Sequence, residues 1–385
     1  MQFAERPHSA GLIGKTAALA GAVVLLLGAS GSIFGAGQSD MRTLRDMYRR
    51  PTAIPYPKDN PYSRAKYELG RMLFFDPILS GSKVRSCSTC HNPGLSWGDG
   101  EQQALGENQK PLSSGLRSPT LLNVAWTPKL GWDGHFGTLE GVAIAPITSS
   151  ENMNLPEKAM LERLSAIPGY AKAFDAAFGK GEISTSKVAQ ALVTRQSAIP
   201  GHAKDFDAAF GNSEITALKV EQALATFERS IVSQEAPFDR WIKGEPNAIN
   251  AAAKRGVALF NGAANCAACH SGWAFTDASF HDIGVAKDDD IGRGRLFPSS
   301  VKLQHAFKTP TLRDVARRGP YMHDGSLATL DDVIDLYNRG GIDRPSRDDA
   351  IHQLNLPQGA KSDLIAFLQT LNGKPEQVPV PVLPR

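Results

Sequence analysis

Cysteine is scarce in this chain: four occur among 385 residues, all inside two pentapeptides, so no thiol is left over. Strong charge of either sign is also missing. The net charge is +3, and no lysine–arginine run appears of the kind that tracks phosphates, which argues against a nucleic-acid partner. Runs of alternating apolar and polar residues are absent too, which leaves a mainly α class. A βαβ pattern, the usual setting of a redox dithiol, is likewise not found.

The two pentapeptides are Cys87-Ser88-Thr89-Cys90-His91 and Cys266-Ala267-Ala268-Cys269-His270. Each spaces two thiols by two residues and puts a histidine directly after them. This is the pattern of covalent c-type haem attachment. The thiols add across the haem vinyl groups, and the adjacent histidine reaches the iron. A Cys₄ zinc cage would take both knuckles but would not need the histidines. A disulfide across a two-residue gap closes a small strained loop and also leaves the histidines unused. The reading is two haems c on Cys87, Cys90, Cys266 and Cys269, with His91 and His270 as iron ligands.

The composition, 42% hydrophobic and 21% charged, suits a soluble globular protein, and the length suits two domains. Near the N-terminus, Arg6 and Lys15 precede an uncharged, apolar run over residues 16–37. That reads as a secretory signal. It is also long enough to stay as a single membrane anchor. Export agrees with the haem motifs, because haem c is attached outside the bacterial inner membrane, so both point to the periplasm. The expected domains are 1–38 as signal or anchor, 39–235 around the first haem, and 236–385 around the second, ending in a proline-rich tail.

Residues 39–62, with Pro51, Pro55, Pro57 and Pro61, read as a lead-in outside the core. Ser63 is expected to cap a helix with Ala65, Leu69, Met72 and Leu73 on its apolar face. A further helical turn is expected over 118–123, and helices over 155–231, 329–338 and 362–371. Residues 165–179 return as 197–211, a duplication at an offset of 32 residues. Two copies are too few for a solenoid. His202 replaces Tyr170 in the second copy and is expected at the surface.

Several motifs occur in a fixed order: Leu73-Phe74-Phe75-Asp76-Pro77, the first haem motif, Trp132-Asp133-Gly134, Lys308-Thr309-Pro310-Thr311-Leu312-Arg313, and Pro320-Tyr321-Met322-His323-Asp324-Gly325. Through them the chain resembles the bacterial dihaem cytochrome c peroxidases and their MauG-like relatives. The resemblance implies two cytochrome c-like haem domains packed face to face, a Ca²⁺ ion between them, and turnover of hydrogen peroxide. In the peroxidase branch the second haem takes a methionine ligand; in the MauG-like branch it takes a tyrosine. The family register puts Tyr337 at that place, on one helix face with Leu330 and Ile334. On spacing alone, a tyrosine there is equally a core residue.

The peroxidases also carry a distal histidine after the first motif. Residues 92–134 hold none, so the resemblance implies a first iron open to peroxide. Glu151 stands near the family's distal glutamate, one residue out of register with Met153. It is the candidate for moving a proton between the peroxide oxygens; the plain alternative is a solvated carboxylate. Trp132 matches the tryptophan between the haems, expected to relay electrons or holes, where the plain alternative is core filling. His281 and His323 match supporting histidines. Arg117 replaces a family asparagine before Ser-Pro-Thr, which removes one expected calcium ligand.

The expected function is that of a periplasmic MauG-like enzyme. Hydrogen peroxide would drive the haems to a high-valent state that oxidises a partner protein, such as a tryptophan side chain of a secreted protein, by long-range electron transfer. One rival is a peroxidase fed by a small cytochrome c or cupredoxin. The other is a non-catalytic dihaem electron carrier.

Overall fold

The computed structural model describes residues 38–179, 214–287, 289–375 and 378–384. The apolar N-terminal run, the second copy of the duplication and His202 lie outside the described residues. No described helix is long and apolar enough to cross a membrane.

The described chain is mainly helical. Its one named ladder pairs two-residue strands, β1 (Phe280–His281) and β2 (Phe307–Lys308). The apolar side chains gather in two main cores. The first is built on α2 (Arg64–Phe75), with α3 (Cys87–Cys90), α4 (Leu139–Ala143), α5 (Ala145–Thr148), α6 (Glu157–Ser165), α7 (Pro168–Phe178) and α8 (Ala217–Arg229) around it. The second is built on α9 (Pro237–Lys243), α10 (Ala251–Asn261), α11 (Leu330–Arg339) and α12 (Gln358–Gln369).

Both cores use the same device. In each, two helices meet at a glycine with no room for a side chain. A Cβ on Gly70 of α2 would lie 1.9 Å from the Ala223 carbonyl of α8, and one on Gly256 of α10 would lie 2.0 Å from the Asp363 carbonyl of α12. The close approach lets Phe74 and Phe227 pack in the first core, and Phe260 and Phe367 in the second, with ring centroids 5.1 and 5.0 Å apart. Each helix pair then feeds a Cys-x-x-Cys-His turn.

Caps set the helix starts. Ser63 accepts from Lys66 N–H at the head of α2, and Thr329 forms a capping box with Asp332 at the head of α11. Asp76 of the Leu-Phe-Phe-Asp-Pro motif accepts from Ile78 N–H at 2.9 Å and from the Tyr170 hydroxyl at 2.6 Å. Tyr170 is fully buried.

Two expectations change. The lead-in is not all outside the core. α1 (Gln38–Met47) docks on α9, and Tyr48 is fully buried in the second core, stacked on Phe275 at 4.7 Å. Residues 118–121 are not helical, and only a 3₁₀ turn, Val124–Trp126, follows. Pro119 pushes Ser118 toward extended backbone, and Asn123 takes a left-handed φ of 62° that breaks any helix. The C-terminal tail packs against the first unit: Val378 touches its core and the Pro379 carbonyl accepts from Arg71 at 2.6 Å. The two ends of the chain therefore each cross to the opposite unit.

The buried Arg313, from the Lys-Thr-Pro-Thr-Leu-Arg motif, donates twice to Asp239 of α9 at 2.8 Å and once to the Trp273 carbonyl at 2.7 Å. That bidentate pair fixes the backbone just after the second haem motif.

The glycine crossings are testable. Gly70→Ala and Gly256→Ala should each cost about 1–3 kcal/mol, since the clash is with backbone that cannot swing aside. Chemical denaturation of the haem-loaded protein measures it; an unchanged midpoint for both variants would show that the helices part freely.

Candidate functional site

The histidine after each motif is held the same way. His270 N–H donates to the Cys266 carbonyl at 2.9 Å, and its ring Nδ1 lies 3.0 Å from the Phe275 carbonyl. His91 N–H donates to the Cys87 carbonyl at 2.9 Å, and its Nδ1 lies 3.3 Å from the Trp97 carbonyl. A carbonyl can only accept, so Nδ1 carries the proton and Nε2 keeps its lone pair. This is the tautomer of a metal-bound imidazole. Burial lowers the pKa of both rings and keeps them neutral.

The two acceptor residues share a further feature. Trp97 and Phe275 are buried aromatics held at φ of 63° and 54°. A bulky residue rarely takes that left-handed conformation. Here it turns each carbonyl onto its histidine. Sequence pattern carries no mark of either bond, because the acceptor is backbone.

A cavity of about 550 Å³ opens at the second motif, lined by Cys266, Cys269, His270, Tyr337, Trp132 and Arg318, among others. Tyr337 follows Leu330 and Ile334 along the inward face of α11, as the spacing predicts. Its hydroxyl makes no hydrogen bond among the described residues. Burial raises its pKa, so the phenol stays protonated unless a cation lies beside it.

Arg117 and Arg318 also border this cavity. Arg117 is 8% exposed, and the Nε atoms of both side chains are buried without a partner. Neither guanidinium bonds a carboxylate among the described residues. Burial lowers both pKa values, and with the neighbouring Arg117 it brings Arg318 down to about 10. An apolar cavity with a neutral imidazole, a phenol and two cations wanting acids fits a haem, whose ring is apolar and whose propionates are anionic. The four cysteines cannot share one zinc ion, because Cys87 packs on the first core and Cys266 on the second.

Trp132 ties the two units together. Its indole Nε1 donates to the Arg117 carbonyl at 2.9 Å, and its own carbonyl accepts from Lys308 N–H at 2.8 Å. Beside it, Arg293 donates to the Asp133 carbonyl at 2.6 Å. Gly134, at φ of 73°, leaves no room for a side chain: a Cβ there would lie 2.2 Å from Phe280.

His323 is buried, stacked on Phe307 at 3.7 Å and bonded to Asp290 at 2.8 Å. His281 sits between Asp277 and Asp348 at 2.8 and 2.7 Å. Asp277, together with Asp348, pushes its pKa up from the ordinary imidazole value. Cys269, Asp277 and His281 bring ligand atoms within 4.8 Å of one another. The carboxylates already occupy the imidazole, and Cys269 belongs to the haem motif. Both rings are held by carboxylates at the edge of the cavity.

Glu151 is exposed, and its carboxylate accepts from the N–H and hydroxyl of Ser113 at 3.3 and 2.6 Å. It bonds no motif residue. A second acid was not singled out from the sequence. Glu228 is buried near Cys87, one Oε2 has no partner, and burial pushes its pKa up to about 8. Its signal was its place in the apolar stripe, four residues after Leu224 and one after Phe227.

Glu228 generates a pH test. Folded, its carboxyl keeps its proton up to about pH 8; unfolded, it loses it near the ordinary glutamate value. The unfolded state then binds fewer protons in that window, so this group lowers stability as pH rises. The melting temperature of Glu228→Gln relative to wild type should climb from about pH 5 to about pH 8. A constant difference would show that Glu228 ionises normally in the fold.

Comparison with known proteins follows the same lines. Residues 64–196 and 190–247 match the model of the di-haem cytochrome c peroxidase family. The methylamine utilization protein MauG of Methylorubrum extorquens is 44% identical over 94% of this chain and 94% of its own length. The MauG of Methylophilus methylotrophus is 42% identical over 88% of this chain and 92% of its own. In structure, a MauG-like protein associated with microbial copper homeostasis superposes with a TM-score of 0.69 at 26% identity, covering 85% of this chain and 95% of that one. The chain belongs to the di-haem cytochrome c peroxidase family, which implies two haem groups, and it is an oxidoreductase of the haem peroxidase type.

Proposed function

We propose that this is a periplasmic, MauG-like enzyme with two covalently attached haems c, in two cytochrome c-like domains packed face to face. It uses hydrogen peroxide to oxidise a partner protein, a tryptophan side chain being the group in mind. The observation that carries the reading is Tyr337. The second motif shares its cavity with a half-buried phenol from α11, where the peroxidase branch has a thioether. A thioether favours ferrous iron and a high potential, whereas a phenolate is a hard anionic donor that favours the oxidised states. Such a site stores oxidising equivalents instead of electrons.

The haems supply the redox chemistry: peroxide takes up two electrons and two protons and leaves as two waters. This chain's own residues do the rest. His91 and His270 present Nε2 from rings locked at Nδ1. Tyr337 gives the second site its oxygen donor and loses its proton in doing so. Trp132, bonded to backbone of both units, is the relay between the two sites. Glu151 is the acid–base group that moves a proton between the peroxide oxygens. The two MauG relatives support a protein as the oxidised partner.

Two measurements test this. Tyr337→Met should introduce the near-infrared sulfur-to-iron band of a methionine ligand and raise the potential of the second haem above that of the wild type, whose spectrum should lack the band. A wild-type spectrum already carrying that band would end the MauG-like reading. Glu151→Gln should slow the reaction with one equivalent of peroxide, followed by stopped flow, by about 100-fold or more. An unchanged rate would leave Glu151 a surface carboxylate, and a wild-type ferric protein inert to peroxide would leave a plain electron carrier.

A further inference from the structure

The family resemblance calls for a calcium ion between the two units, and the residues at that place do not fit one. Ca²⁺ takes six to eight oxygen ligands, several of them carboxylates or carbonyls. Around Arg117 the carbonyls are already engaged. That of Arg318 accepts from Arg117 Nη1 at 3.0 Å, that of His323 accepts from Arg117 N–H at 2.9 Å, and that of Arg117 accepts from Trp132 at 2.9 Å. The Thr311 carbonyl accepts from the Arg318 side chain. Among the described residues no carboxylate bonds either arginine, and two guanidiniums already share the region, so a divalent ion would meet their repulsion.

We propose that the Arg117 guanidinium takes the place of the inter-domain calcium ion, as a tethered cation that fixes the first unit to the Arg318 backbone and holds Trp132 between the two motifs. Arg117 is then a positioning residue. Its side chain grips the C-terminal unit while its backbone oxygen holds the indole, so one residue sets both the seam and the relay. A guanidinium is charged at every working pH and cannot be chelated or diluted away. The inference rests on family membership and this geometry, and not on which partner the enzyme oxidises.

The test uses the haem-loaded full chain. Wild type should carry no stoichiometric calcium by elemental analysis. Dialysis against excess EGTA should leave its visible spectrum and both haem midpoint potentials unchanged. Arg117→Asn restores the family side chain. It should shift the spectrum and the potentials when calcium is absent and recover the wild-type values when calcium is added. Arg117→Lys keeps the charge without the fork and should be less perturbed than the calcium-free asparagine variant. One calcium per wild-type chain, removed by EGTA with a change in spectrum or potential, overturns the proposal. An Arg117→Asn variant that matches wild type with and without calcium also overturns it. If that variant does not fold, the wild-type metal content and chelation result decide alone. None of these readouts depends on peroxide turnover, so failure of the proposed activity would show separately.

Discussion

Besides the crossing N- and C-terminal segments, the contacts that link the two halves of this molecule gather around one indole. Trp132 is tied through its ring to the Arg117 backbone and through its own carbonyl to Lys308 of the other unit. Two hydrogen bonds at opposite ends of one residue leave it little freedom to turn. The next residues tighten the hold, because Arg293 grips the Asp133 carbonyl and Gly134 lies against Phe280 with no space for a methyl group. A side chain that carries charge between two sites must keep its distances, and a backbone-anchored tryptophan does so better than one held by packing alone.

The two sites are built to one local recipe and then made different by their surroundings. Each has a glycine crossing, a Cys-x-x-Cys-His turn, and a buried aromatic whose left-handed backbone aims a carbonyl at Nδ1. The recipe yields two neutral imidazoles with the same free nitrogen. Beyond it the symmetry ends. The second site has a half-buried phenol and two arginines; the first has the buried, protonated Glu228 near Cys87. Since the proximal arrangement is common to both, any difference in chemistry must come from these outer groups.

Much of this was readable in the sequence because it depends on short covalent spacing. The two haem motifs, Trp132-Asp133-Gly134 and the helix face bearing Tyr337 are all local patterns, and the structure places Trp132 and Tyr337 on one cavity with His270. What stayed hidden depends on contacts distant in sequence or on backbone atoms. Tyr48 looked like part of a proline-containing lead-in, yet its partners Phe238 and Phe275 are about two hundred residues away. The carbonyls of Trp97 and Phe275 have no residue signature. Arg117 was legible as a departure from the family pattern, but not its bond to Arg318. Glu151 was placed by register alone, and register carries no mark of its bonds to Ser113.

The charge pattern gives the last step. Burying a guanidinium without an acid partner is among the costlier things a fold can do. At the second cavity Arg117 is buried and Arg318 half-buried without a bonded carboxylate among the described residues, and beside the first motif the buried Arg85 bonds only Cys90 Sγ and the Leu105 carbonyl, whereas Arg313 pairs with Asp239 and Arg229 with Glu140 at 2.6 and 2.8 Å. The contrast points to a ligand that brings its own negative charge. A haem with two propionates balances two arginines, so haem binding and the stability of this seam are thermodynamically linked. The same arginines lie between the units and beside the Trp132 anchor. Filling the second site would therefore also steady the Trp132 anchor between the units.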